Sequence, residues 1–61
     1  MTYKEKAIQL MMERLGICYL DSEEIVQHME NDIGFKPCVM GVLNAPRSVQ
    51  DWDVEIEVIE Q

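Results

Sequence analysis

The end of the chain alternates strictly between apolar and acidic residues. Residues 51–58 read DWDVEIEV. A period of two places each residue type on one face of a β-strand, whereas it gives a helix no apolar side. This stretch therefore predicts a half-buried strand. Its core-facing residues would be Trp52, Val54, Ile56 and Val58, and its solvent-facing residues Asp51, Asp53, Glu55 and Glu57.

The beginning of the chain follows the period of an α-helix instead. TYKEKAIQLMMERLG, residues 2–16, predicts a first helix. Thr2 is placed to cap it, because Glu5 follows three residues later and completes a capping box. Gly16 suits the left-handed position after the last turn. The apolar side of this helix, widened by Leu10 and Met12, carries Ala7, Ile8, Met11 and Leu15 at the spacing of one face.

The middle of the chain predicts one more helix and leaves two segments open. DSEEIVQHMEND, residues 21–32, predicts a second helix capped by Asp21 or Ser22, with Ile25, Val26 and Met29 buried. ICYL, residues 17–20, suits a brief strand or an extended linker. KPCVMGVLNAP suits a short helix or a buried strand over residues 37–44, and we favour the helix because Pro37 fits a first turn.

These elements together predict a single small α+β domain over residues 1–61. It would contain three short helices followed by a C-terminal strand. A domain of this size buries only about 60% of the surface that its unfolded chain exposes. Its stability would be marginal, and small domains often gain stability from a partner chain.

Two stretches of the sequence, DSEEIVQHM and CVMGVLN, resemble the second and third helices of a winged helix-turn-helix domain. The matching residues are Ser22, Glu23, Glu24, Ile25 and Val26, then Val42, Leu43 and Asn44. The resemblance implies that the three helices form a helix-turn-helix-like arrangement and that the C-terminal strand pairs with a short strand near residues 17–20. It also implies a DNA-binding transcriptional regulator, acting as a dimer. Lys36, Asn44 and Arg47 would then contact the nucleic acid from around the third helix.

The charge of the chain points to a different partner. Twelve acidic residues face five basic ones, for a net charge of −7, and neither residues 15–35 nor residues 48–61 contain a lysine or arginine. Such a field repels phosphate backbones and anionic membranes and attracts basic proteins. The leading hypothesis is therefore a non-enzymatic interaction or regulatory protein that binds a basic protein partner. The residues predicted to bind it are Asp51, Asp53, Glu55 and Glu57 on the strand, supported by Glu23, Glu24 and Glu30.

The acidic strand face is also consistent with two roles that need no basic partner. Charged outer residues would stop an edge strand from recruiting copies of itself. Alternatively, the strand would pair across a homodimer. A small acidic protein of this kind would also suit a virus or a mobile element.

The sequence offers little chemistry. Its single histidine, His28, and its cysteines, Cys18 and Cys38, are not spaced as a metal site or a catalytic dyad. We expect neither catalysis nor a metal nor a cofactor. With no secretory signal and no apolar run of membrane-spanning length, we expect a cytoplasmic, intracellular chain with reduced thiols.

The methionines form one last pattern. Met11, Met12, Met29 and Met40 lie at core spacing, so adaptable packing is the default interpretation. If two of them were exposed, they would indicate a groove for a partner helix.

Overall fold

The computed structural model describes residues 1–56, which form three α-helices. They are α1 (Tyr3–Leu15), α2 (Tyr19–Met29) and α3 (Phe35–Val42). Within this part of the chain there is no β-strand and no sheet, so the fold is all-helical. The predicted α+β class is therefore wrong.

Helix α1 confirms the prediction made from its capping residues. The backbone N–H of Glu5 donates to Thr2 Oγ1 at 3.2 Å, and the N–H of Thr2 donates to Glu5 Oε1 at 3.0 Å. At the other end Gly16 is left-handed, with φ 63°, and its N–H donates to the carbonyl of Met12 at 2.9 Å. Both boundaries depend on local hydrogen bonds, which is why the sequence predicts them well.

Helix α2 begins two residues earlier than predicted, inside ICYL. Cys18 is its N-cap and makes no side-chain capping hydrogen bond, so the caps predicted at Asp21 or Ser22 are wrong. Ser22 and Val26, one turn apart, are both buried in this helix, which packs against α1. Because residues 19 and 20 belong to α2, the short strand predicted near residues 17–20 does not form.

Helix α3 confirms the helix favoured for the KPCVMGV segment. The carboxylate of Asp32 accepts hydrogen bonds from the N–H groups of Gly34 (2.9 Å) and Phe35 (3.2 Å), which stabilises the first turn. After Val42 the chain forms a Schellman motif. Asn44 is left-handed, with φ 56°, and the N–H of Ala45 reaches back to the carbonyl of Met40 at 2.9 Å.

The C-terminal segment, residues 49–56, does not form the predicted strand. Turns at residues 52–53 interrupt it, and a single antiparallel bridge joins Thr2 to Glu55. The carbonyls of Trp52 and Val54 accept from the N–H groups of Lys4 (2.8 Å) and Tyr3 (3.2 Å), the first residues of α1. The segment therefore caps a helix instead of entering a sheet, since residues 17–20 offer it no strand partner.

The two-residue alternation describes the burial of this segment only in part. Trp52 is fully buried and Ile56 is half-buried, but Val54 is 46% exposed. Asp51, Asp53 and Glu55 face solvent as predicted. The predictions for Glu57 and Val58 fall outside the described residues.

The core is built around Trp52. Its ring packs edge-on against Phe35, with the centroids 5.8 Å apart. All three helices contribute to the buried cluster, which consists of Tyr3, Ala7, Ile8, Val26, Val39, Met40 and Trp52. The C-terminal segment is thus part of the core and not an addition to it.

Candidate interaction site

Asp51, Asp53 and Glu55 do not form the ladder of evenly spaced carboxylates that a strand would present on its solvent-facing side. Asp51 lies with Oδ1 at 3.9 Å from Lys36 Nζ, and the same oxygen accepts from the N–H of Asp53 at 3.4 Å. Glu55 Oε2 lies 2.6 Å from the α-amino group of Met1. Because two of these carboxylates already face cations and the backbone turns between them, the regular charge spacing of a strand is lost.

The pKa values at this end of the molecule reflect the same contacts. The hydrogen bond to Glu55 raises the pKa of the Met1 α-amino group. A backbone hydrogen bond from Thr2 lowers the pKa of Glu5, the capping-box carboxylate. Both shifts favour the charged forms, so the start of α1 and the segment across it are held together partly by charge.

The acids of α2 are dispersed. Glu24 is exposed with Oε1 at 3.8 Å from His28 Nε2, and Glu30 Oε1 lies 3.9 Å from Lys4 Nζ. Glu23 is half-buried beside Tyr19. Desolvation, followed by the charge of Glu23, raises the pKa of the Tyr19 hydroxyl. These residues contribute to a negative field without converging on one site.

The three residues predicted for DNA contact do not share a helix face. Lys36 belongs to α3, where its Nζ lies 5.4 Å from the centroid of the Trp52 ring. Asn44 follows α3 and provides the left-handed residue of the Schellman motif. Arg47 lies exposed in the next turn. Lys36 and Asn44 thus have structural contacts that explain their presence.

The feature that the sequence did not locate is an open apolar groove of about 460 Å³ between α1 and α3. Apolar side chains make up most of its walls. From α1 it takes Leu10, Met11 and Arg14, and from α3 it takes Phe35, Cys38, Val39 and Val42.

One end of the groove is closed by the last turn of α2 and the loop that follows. Met29, Asp32 and Gly34 lie there. Met29 is 41% exposed, and Val42 on the opposite wall is 50% exposed. Contiguous exposed apolar surface of this kind is typical of interaction sites.

The methionine pattern gave the nearest signal for this groove. Met11 and Met29 both line it, whereas Met40 is buried in the core. Of these three, only Met29 is exposed, and Met11 is half-buried. Met12 is half-buried as well, so the condition that two methionines be exposed is not met, although Met11 and Met29 both reach the groove.

The two cysteines are free and exposed, at different places. Cys38 lies in the groove, and Cys18 precedes α2. Over residues 1–56, no group of three or more His, Cys, Asp or Glu side chains is arranged to hold a metal ion. No helix in that range is both long enough and apolar enough to cross a membrane.

Comparison of the chain with protein-family models, curated proteins and solved structures gave no match. The resemblance to a winged helix-turn-helix domain therefore stays a prediction.

Proposed function

We propose that this chain is a small, non-enzymatic interaction domain of the cytoplasm that binds a basic protein partner. The groove between α1 and α3 is the contact surface, and the acidic residues provide the attractive field. The observation that carries this proposal is the combination of an open apolar groove with a net charge of −7.

The groove supports an interaction role because its apolar surface is left exposed by the fold. A domain of 61 residues has few apolar side chains to spare, and its core already uses seven. Leaving Val42 and Met29 half in solvent costs stability that burial would otherwise supply, at about 25 cal/mol per Å². A partner that covers the groove would recover this energy.

The charge supports a basic partner. Long-range attraction increases the association rate and excludes partners of like charge, while the final affinity comes mainly from buried contacts. The acids of α2 and of residues 51–55 therefore act together, as a field, in place of the ladder expected from the sequence.

Comparative affinity capture tests the proposal. The wild-type chain, a groove variant (Val42→Asp) and a matched control (Leu20→Asp) would each be used as bait in a lysate of the source cell. Leu20 is 72% exposed and lies outside the groove. We expect wild type and Leu20→Asp to retain the same basic protein and Val42→Asp to lose it. The proposal would be refuted if Val42→Asp retained the same basic protein as the wild type, or if the wild type retained only acidic proteins.

A further inference from the structure

We infer that the groove receives an amphipathic α-helix whose outward side carries lysine or arginine. This inference rests on the proposed function, because it specifies the partner that binds at the same groove.

The shape of the groove fits one helix. Its α3 wall consists of Phe35, Cys38, Val39 and Val42, spaced i, i+3, i+4 and i+7, which is one continuous helix face. At 1.5 Å per residue this wall is roughly 10 Å long, or about two helical turns. The α1 wall, around Leu10 and Met11, runs along a second helix. A helix from the partner can pack between these two walls with its own apolar stripe at positions i, i+3, i+4 and i+7.

The chemistry of the groove favours apolar anchors over a polar ligand. Met11, Met29 and Phe35 provide flexible and aromatic surface that adapts to branched side chains. Two charged side chains of opposite sign, Arg14 and Asp32, also line the groove, and the Asp32 carboxylate already accepts two backbone hydrogen bonds. A small polar ligand needs several convergent polar groups for orientation, and this groove does not supply them.

An extended peptide fits less well. It would bind by adding a strand to a sheet edge, and residues 1–56 contain no strand to receive it. A helix satisfies its own backbone hydrogen bonds and needs only side-chain contacts. The groove offers contacts of that kind.

Charge selects a basic helix and disfavours a second copy of this chain. Two copies would each bring a net charge of −7 to the contact. Two of the five bases, Lys4 and Lys36, already lie 3.9 Å from carboxylates of the same chain. Binding of a basic helix would weaken as salt increases, whereas self-association would strengthen as salt screens the repulsion. The sign of the salt effect separates the two occupants.

A designed peptide of about 18 residues tests the inference, since shorter isolated helices are marginal in water. It carries Leu at i, i+3, i+4 and i+7 and Lys elsewhere. Two matched peptides serve as controls: a scrambled sequence of the same composition, and the same pattern with Glu in place of Lys. Calorimetry would measure affinity, and NMR amide shifts of the labelled chain would locate binding.

We expect the basic amphipathic peptide to bind at least tenfold more tightly than the scrambled peptide, with shifts at Met11, Met29 and Val42, and the Glu peptide not to bind. Equal affinity for the scrambled peptide would overturn the inference that the groove binds a helix, while the proposed binding of a basic partner would stand. If neither Lys peptide binds, the proposed function fails too. If the chain instead forms dimers whose association strengthens as salt increases, the occupant of the groove would be a second copy of the chain.

Thiol chemistry provides an independent control at the groove. In a Cys18→Ser chain, a bulky maleimide on Cys38 should reduce peptide affinity at least tenfold. In a Cys38→Ser chain, the same label on Cys18 should change the affinity less than twofold relative to the unlabelled Cys38→Ser chain, which corrects for the substitution in the groove wall. Circular dichroism of both labelled chains would verify that the helices are intact. Unchanged affinity after labelling Cys38 in a folded chain would overturn the placement of the helix.

Discussion

The backbone N–H of Lys4 donates to the carbonyl of Trp52 at 2.8 Å. Lys4 lies in the first turn of α1, and the first four N–H groups of a helix have no partner within it. Here each has one. Thr2 and Glu5 bond to each other's side chains, and the carbonyls of Val54 and Trp52 accept from Tyr3 and Lys4. The tryptophan that fills the core therefore also completes the start of the longest helix.

Trp52 should be the most sensitive position for stability. Trp→Ala in a core costs about 3–5 kcal/mol, and a 61-residue domain has roughly 3–9 kcal/mol in total. We expect Trp52→Ala to lose about 3–5 kcal/mol of the free energy of unfolding, so its thermal midpoint by circular dichroism should fall far below that of the wild type. Trp52→Phe should remain folded, since Trp52 Nε1 has no hydrogen-bond partner to lose among residues 1–56. A cooperative, near-wild-type melt of Trp52→Ala would contradict this role.

Substitution of Ser22 by alanine should stabilise the fold, in contrast to substitution of Trp52. Its side chain is fully buried on α2, and its hydroxyl has no hydrogen-bond partner within the described residues. An unpaired buried hydroxyl costs about 1–3 kcal/mol, and alanine is the better helix former. We expect Ser22→Ala to raise the free energy of unfolding by about 1 kcal/mol in urea titrations. Ser48→Ala, at an exposed position, is the control. Destabilisation by Ser22→Ala would show that the hydroxyl has a partner.

Asn44 should respond to backbone geometry and not to side-chain chemistry. Its φ is 56°, a region that glycine occupies freely and that costs branched residues roughly 1–2 kcal/mol. We expect Asn44→Gly to keep or increase thermal stability and Asn44→Val to lower it by about that amount. If Asn44 instead read DNA bases, both variants would lose DNA affinity alike with stability unchanged.

The pH dependence of stability should have an acid limb and an alkaline limb at the start of α1. The pKa of Glu5 is lowered, so its contribution is present above its ordinary pKa and is lost as pH falls through the lowered value. The pKa of the Met1 amino group is raised, so its contribution is present below its ordinary pKa and is lost as pH rises through the raised value.

Two charge-neutral variants separate these limbs in thermal melts across pH. Glu5→Gln keeps the capping-box shape and should flatten mainly the acid limb, because the charge of Glu5 is only the smallest cause of the raised pKa of the Met1 amino group. Glu55→Gln removes the partner of the amino group and should flatten only the alkaline limb. Identical pH profiles for wild type and both variants would place the titrating groups elsewhere.

Duplex DNA should not bind this chain at ordinary ionic strength. A net charge of −7 opposes the phosphate backbone, and Lys36 is engaged by Asp51 and by the Trp52 ring. We expect no change in fluorescence anisotropy of a labelled duplex, even at low salt. Salt-sensitive binding that Arg47→Ala weakens would favour the DNA-binding alternative instead.

Features fixed by neighbouring residues could be predicted from the sequence. The capping box of Thr2 and Glu5 and the left-handed Gly16 require only a few consecutive residues, and α1 appears where they place it. The prediction of a C-terminal strand was wrong because a strand forms only with a partner that is distant in the sequence. The predicted partner is missing, because residues 19 and 20 belong to α2 and residues 17 and 18 precede it without forming a strand.

The groove could not be predicted for a related reason. Leu10 and Val42 have the spacing of core residues, and only the folded arrangement of α1 and α3 shows that they line an open groove. The charge pattern had a similar limit. Composition gave the sign of the field, but the contacts of Asp51 with Lys36 and of Glu55 with Met1 arise only in the folded chain.

The contact between Lys4 and Trp52 also sets the order of events at the ribosome. Both residues of this pair must be outside the exit tunnel before α1 can gain its cap and the core its largest side chain. All three helices are synthesised before Trp52, so the side chain that fills their shared core is added last. Folding is therefore expected to be complete only once residue 52 has emerged, and until then the apolar faces of the helices lack their largest core partner and are prone to aggregation.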